Sequence, residues 1–388
     1  HSGERSLRFH NLDAANYQLC SQNVPLERDR LYEFSVWVKT EGLKGEDSGA
    51  TICLEWWTKA GKYLGGSYPA GVKGDSDWTR VHAVSGRVPA EAERCNITVY
   101  CRKGMTGTAW FDDVELKRAF APPMTSAVLW PNYRGWLDME EEPQVELAVQ
   151  VDTRDLDLSY DDLKLHLRVV DGSDKVWAVR TLDPVGLETR LRIALPPELP
   201  EGQYTISVRL AEEKTGRVIA TDEHRLLRRP ADAPWPHAYI DRHNRLIVDG
   251  EPFFPLGLYS NTGLMDDETL RLYSDSPFNC MMPYGTASRE QMDLAHKYGI
   301  KVIYSIKDSY AGTTWCPKEI DSPEKERPWI EGVVGRFKDH PALLAWYLND
   351  ELPLTLLDRL TAHQRWVEEL DPNHPTWVVL YQVREVRQ

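Results

Sequence analysis

Three polar residues in a row, Asn349, Asp350 and Glu351, close the apolar stretch ALLAWYL. A short apolar run bounded by polar residues reads as a buried strand, so this triplet is expected at a strand end. A carboxyl placed there is partly withdrawn from water, which raises its pKa toward working pH and suits it to proton transfer. Glu351, Asp350 and Asn349 are therefore candidate site residues. Tyr259, Tyr284 and Asp308 end three further apolar runs upstream and complete the binding candidates. A competing reading exists for Glu351: LPLTLLDRL follows it directly, and an acidic residue before a helix is often a cap. No zinc-type Cys/His cluster, Walker loop, dinucleotide glycine pattern or G-x-S-x-G elbow is present, so no metal or organic cofactor is assigned to the chemistry.

The elements that must carry these residues alternate from residue 237 onward. NRLIVDGEPFFPLGLY reads as a hairpin leading into a buried strand. DDETLRLYSDS reads as a helix with Asp266 or Asp267 as its cap. FNCMMPYG is a second strand, SREQMDLAHKYG a capped amphipathic helix ending at Gly299, and IKVIYSIKD a third strand. A helix in PWIEGVVGRFKDHP, the strand ALLAWYLNDE, the helix LTLLDRLTAHQRWVEELDP and the strand TWVVLYQ follow. Alternation of apolar strands with helices predicts a parallel α/β domain. An open doubly wound sheet and a (β/α)8 barrel both fit, but no glycine-rich phosphate loop follows the first strand. In a barrel the candidate residues fall on the face where active sites form. Strict alternation gives Trp346 the parity opposite to Glu351 and packs it outward under the helices, while Trp315 is a candidate sugar platform.

Upstream the pattern is all-β. In LYEFSVWVK, Tyr32, Phe34, Val36 and Val38 share one face, and TICLEWW, TRVHAVSGRV, NITVYCR and TAWFDDVEL are further strands. Trp56 and Trp57 must point to opposite faces of a strand, one into the core and the other outward. With Trp37 and Trp78 they are the candidates for sugar contact, against the reading that aromatics fill sandwich cores. After the Pro-rich AFAPPM, a second set of alternating strands (VELAVQV, LKLHLRVVD, VWAVRTL, TRLRIALP, YTISVRLAE) runs to a second Pro-rich stretch, RRPADAPWP. Three modules are expected: 1–118, 119–232 and 233–388.

Composition narrows the partner. The 388 residues carry a net charge of −14, which disfavours nucleic acid. No run of 18 apolar residues indicates a membrane span. The 14 Trp and 17 Tyr suit an aromatic-rich surface that stacks on the C–H faces of sugars, so a polysaccharide or oligosaccharide is the expected partner. Of the six cysteines, Cys95 and Cys101 are too far apart on one strand to bond to each other. Cys20 or Cys53 on a neighbouring strand can pair with one of them, or all stand as free thiols.

The residues quoted above also carry resemblances. YEFSVWVKTEG, LEWWTKAGKYLGG and GTAWFDDVELKR resemble the jelly-roll carbohydrate-binding modules of the galactose-binding-like superfold, over most of residues 5–118. That resemblance allows a structural calcium ion near Asp112 and Asp113, which otherwise brace a loop. EGQYTISVRL is similar to a late strand of an immunoglobulin-like sandwich, which implies a spacer. DGEPFFPLGLY and HPALLAWYLNDE resemble the first and fourth strands of the large clan of retaining β-glycoside hydrolases. In that clan an Asn-Glu pair ends the fourth strand. The Glu is the acid/base and maps onto Glu351; the Asn position is Asp350 here, with Asn349 one residue earlier.

The resemblance implies two all-β sandwiches followed by a (β/α)8-type barrel, incomplete in 388 residues, with the nucleophilic Glu expected beyond Gln388. It implies a retaining β-glycoside hydrolase acting on a poly- or oligosaccharide. Such a protein is expected to be secreted, periplasmic or at the cell surface. The alternatives are a non-catalytic glycan-binding or surface-scaffold protein with a degenerate barrel and, more weakly, an unrelated α/β enzyme.

Overall fold

A computed structural model of the chain describes residues 1–137, 143–183, 185–353 and 356–380. Residues 1–125 and 151–163 form one compact unit, and the described residues of 126–150 and 164–388 form a second.

In the first unit the alternating runs become eight strands: β1 (Leu7–Asn11), β2 (Gln18–Val24), β3 (Leu31–Lys44), β4 (Ala50–Trp57), β5 (Tyr63–Ser67), β6 (Gly74–Val84), β7 (Arg94–Cys101) and β8 (Thr106–Ala119). They pair as two four-stranded sheets, β1-β8-β3-β6 and β2-β7-β4-β5. Val36, Val38 and Phe111 from one sheet share a single core with Ile52, Leu54, Ile97 and Val99 from the other. The period of two thus builds a sandwich, because each sheet has one apolar face to bury. Tyr32, Phe34, Val36 and Val38 are all buried, as their alternation requires. All six cysteines are free thiols. Cys95 and Cys101 lie in the core, whereas Cys53 pairs across from Thr98 on the opposite face. Cys20 is exposed.

Seven strands follow: β9 (Met124–Trp130), β10 (Gln144–Val151), β11 (Leu163–Asp171), β12 (Val176–Leu182), β13 (Glu188–Ala194), β14 (Gly202–Glu212) and β15 (Val218–Arg228). Their sheet orders are β13-β10-β9 and β12-β11-β14-β15. Alternate residues are buried, among them Val145, Leu147 and Val149 on β10 and Leu165, Leu167 and Val169 on β11. A small antiparallel sheet of β16 (Ala238–Ile240), β17 (Leu246–Val248) and β18 (Glu251–Pro252) comes next.

The α/β segment contains β19 (Gly257–Ser260), α1 (Asp267–Ser274), β20 (Cys280–Pro283), α2 (Arg289–Lys297), β21 (Lys301–Ser305), α3 (Glu326–Phe337), β22 (Leu343–Asp350), α4 (Leu357–Leu370) and β23 (Thr376–Val379). The five strands are parallel and lie in chain order. Asp266, not Asp267, caps α1 by accepting from the Thr269 amide. Ser288 and Gln291 form a capping box on α2, and Gly299 leaves it in the left-handed conformation. Leu270, Met292, Ile330 and Val367 from the helices share one core with Val302, Leu343, Trp346 and Leu348 from the strands. On the other face, Ile303, Ala345 and Tyr347 pack with Ala238 and Val248 of the small antiparallel sheet.

The first of these strands differs from expectation. It is not buried: Leu258 is exposed and Tyr259 half-buried, because β19 is a sheet edge. A Cβ at Gly257 would overlap the carbonyl of Cys280, so glycine there permits the close approach of β19 to β20. Among the described residues no helix is long and apolar enough to cross a membrane.

Candidate functional site

Parallel strands in chain order deliver their C-terminal ends to one edge of the sheet. Tyr259 arrives there from β19, Tyr284 from just beyond β20, Lys307 and Asp308 from just beyond β21, and Tyr347 and Asp350 from β22. The phenol oxygens of Tyr259 and Tyr347 are 2.5 Å apart. The rings of Tyr259 and Tyr284 meet edge to face with centroids 4.0 Å apart. The Asp350 carboxylate lies close to both Tyr259 and Tyr347. Burial raises both phenols above their ordinary pKa, and the nearby Asp350 charge adds to the effect.

Lys307 ties the cluster together. Its Nζ donates to Asp308 Oδ1 at 2.9 Å, stands 3.7 Å from Asp350 Oδ2, and lies 5.1 Å from the centre of the Tyr284 ring. Its side chain is only 7% exposed, so the ammonium is held among these partners rather than in bulk water. Neither Lys307 nor Tyr347 was a sequence candidate. Tyr347 is concealed within an apolar run, and Lys307 reads as the polar flank of a strand.

The other two members of the triplet behave differently. Asn349 is buried, and its side chain is committed to the backbone: Nδ2 donates to the Val379 carbonyl at 2.8 Å, and Oδ1 accepts from the Leu352 amide at 3.2 Å. Glu351 lies one residue past β22 with φ of +55°. Its amide donates to the Val379 carbonyl, and the residue is exposed. A bulge explains this division. Tyr347 pairs with Trp377 and Asn349 with Val378, so one residue of β22 has no opposite number on β23. The shift brings Asp350 to the side of Tyr347 and leaves Glu351 beyond the last ladder pair.

The remaining tryptophans separate by location. Trp346 is fully buried against Tyr304 under the helices, and its indole donates to Asp371 Oδ2 at 2.7 Å. Trp315 is 78% exposed. In the first unit Trp56 is core, whereas Trp57 lies on the outer face of its sheet, edge-on to Tyr63. Trp37 lies on the outer face of the other sheet, and the His1 ring stacks on it at 3.8 Å and meets Trp78 edge-on. The four candidates therefore do not form one surface. Asp113 accepts from Ser2 and meets the His1 ring, while Asp112 accepts from the Asp113 amide; both lie at an irregularity within β8 rather than in a loop. Among the described residues no group of three or more His, Cys, Asp or Glu is arranged so that it could hold a metal ion.

Beneath the site, Glu326 anchors the segment that follows β21. It is buried, accepts from the Ala311 amide at 2.8 Å and from His363 at 2.9 Å, and pairs with Arg359. A cavity of about 1200 Å3 lined by Trp136, Phe253, Ala345, Arg365 and Trp377 contains none of the candidate residues.

No family model matches the sequence, and no curated protein matches it. Among solved structures the chain is similar to a glycosyl hydrolase family 2 member from Bacteroides cellulosilyticus DSM 14838, with 14% identity and a TM-score of 0.30 over 97% of this chain and 49% of that one. It is similar to the β-glucuronidase of Parabacteroides merdae, with 12% identity and a TM-score of 0.30 over 95% of this chain and 50% of that one. The β-glucuronidase of Bifidobacterium dentium gives 13% identity and a TM-score of 0.31 over 95% of this chain and 66% of that one. The chain spans about half the length of the first two and less than two thirds of the third.

Proposed function

We propose that the chain is part of a retaining β-glycoside hydrolase acting on a poly- or oligosaccharide, with its chemistry at the C-terminal ends of β19 to β22. The observation that carries this reading is the convergence of Tyr259, Tyr284, Asp308 and Asp350 at one edge of a parallel sheet whose strands follow chain order. Helical residues share a core with one face of that sheet, which fits a segment of a (β/α)8 barrel better than a doubly wound sheet covered on both faces. A glycosidic oxygen leaves poorly unless it is protonated, and Glu351 supplies the proton from the end of β22. A second carboxylate, from outside the described residues, attacks the anomeric carbon. No metal or organic cofactor takes part. The first unit is a jelly-roll module, and the strands from β9 to β15 are an immunoglobulin-like spacer. The protein is exported to reach its polymer.

Glu351→Gln tests the assignment. Turnover falls at least about 100-fold on glycosides with poor leaving groups and much less on 4-nitrophenyl glycosides, whose leaving group needs little protonation. Equal turnover of variant and parent on both removes Glu351 from the mechanism.

A second reading is supported by the commitment of Asn349 to the backbone and the exposure of Glu351. Under it the site binds glycans without cleaving them. Saturable glycan binding with no detectable product over long incubation supports that reading instead.

A further inference from the structure

Lys307 is already neutralised. Its ammonium is 2.9 Å from one Asp308 oxygen and 3.7 Å from one Asp350 oxygen. Two carboxylates around one ammonium leave the group with a formal charge of −1, and Glu351 follows Asp350 directly in the chain. All of this lies at the edge where the proposed substrate would sit. The side chains of Asp308 and Asp350 are 30% and 25% exposed, so each keeps an accessible face for a ligand.

We infer that this charge arrangement makes the site selective for neutral sugars over uronic acids, with the Lys307–Asp308 pair as the determinant. The inference rests on the glycoside reading above and names the substrate class for it. A sugar carboxylate entering here would have to displace Asp308 from Lys307, and then lie beside two carboxylates in partly water-excluded surroundings where like charges are weakly screened. Sugar hydroxyls meet no such obstacle. They donate to the free lone pairs of Asp308 and Asp350, and the phenols of Tyr259 and Tyr347 close the same acceptor set. The half-exposed Tyr284 ring offers an apolar face for the C–H side of the pyranose. Lys307 acts here as a positioning residue: it holds the two carboxylates in place and is itself unavailable to an anion.

The test is a binding comparison on the full chain. Methyl β-glucopyranoside, methyl β-galactopyranoside and methyl β-glucopyranosiduronate are titrated by ligand-observed NMR at low ionic strength, with circular dichroism as the check on folding. The parent is expected to hold at least one neutral glycoside about tenfold more tightly than the uronate, as loss of one charge-assisted hydrogen bond implies. Asp308→Asn, which frees Lys307, narrows that ratio by about tenfold through tighter uronate binding. If the variant fails to fold, the parent alone suffices: raising salt from about 0.02 M to about 0.5 M shrinks the preference, because screening relieves the repulsion. Uronate binding tighter than both neutral glycosides overturns the inference and leaves the glycoside reading intact. So does a preference unmoved by both salt and Asp308→Asn. Absence of binding by all three ligands to folded protein overturns the glycoside reading itself, and the inference with it.

Discussion

The phenol oxygens of Tyr259 and Tyr347 lie 2.5 Å apart although 88 residues separate them in the chain. This contact joins β19 to β22 across the two strands between them and fixes the inner wall of the candidate site.

Loss of the Tyr347 hydroxyl leaves Tyr259 with one partner fewer. Tyr347→Phe is expected to cost about 1 kcal/mol in urea unfolding at neutral pH. The pH dependence has a definite sign. Burial raises both phenols above the ordinary value of 10.0, so their contribution is complete below that value. It is lost as pH rises toward the folded-state values. Stability therefore declines above pH about 10, and the decline is shallower in Tyr347→Phe. An unchanged alkaline slope in the variant refutes the role given to the pair.

Asp371 should be among the most sensitive positions in the α/β segment. Burial pushes its carboxyl up, but hydrogen bonds from His374, Trp346 and the Asn373 amide hold it below the usual carboxylate range. Asp371→Ala leaves the Trp346 indole and His374 unpaired and is expected to cost about 3 kcal/mol at pH 7. A lowered folded value contributes stability above the ordinary 3.8 and loses it as pH falls further. The gap between parent and variant in urea midpoint therefore closes in acid.

Glu326 is a lever on the site without touching it. It holds the Ala311 amide, and residues 307 and 308 begin the same segment. In Glu326→Ala the Ala311 amide should exchange with deuterium at least about tenfold faster, because the bond that protects it is gone. Under the proposed function, sugar affinity weakens alongside. Unchanged exchange at Ala311 removes the anchoring role.

Thiol reactivity checks the first unit. Cys20 is exposed, while Cys53 and Cys101 are buried with thiols pushed up to about 12 by that burial. An aromatic disulfide reagent at pH 8 should label Cys20 rapidly, and Cys53, Cys95, Cys101 and Cys280 only in denaturant. Labelling of Cys95 in the folded protein at the rate of Cys20 contradicts the sandwich core.

Much of the scaffold was legible in the sequence, because period-two alternation in LYEFSVWVK and caps such as Ser288 with Gln291 are local signals. Trp346 also lies under the helices as expected, although the bulge at Leu348 breaks the alternation by which it was set opposite to Glu351. The site was legible only in outline. Tyr259, Tyr284, Asp308 and Asp350 do converge, but Lys307 and Tyr347 belong with them through contacts across strands that no single segment encodes. The bulge after Tyr347 arises from pairing with β23, and it decides that Asp350 rather than Glu351 faces the phenols. Asn349 likewise took its partners from β23 and the following turn, which spacing alone does not reveal.

The sheet edges carry a consequence for handling the molecule. Among the described residues β19 and β23 each pair on one side only, and Leu258, Trp377 and Val378 are exposed on them. Addition of β23 of one molecule to β19 of the next joins two different surfaces, so this mode of pairing does not close into a symmetric dimer. It propagates. Concentrated solutions of this chain should therefore grow open-ended polymers by monomer addition, and a lysine introduced at Trp377 should delay their onset.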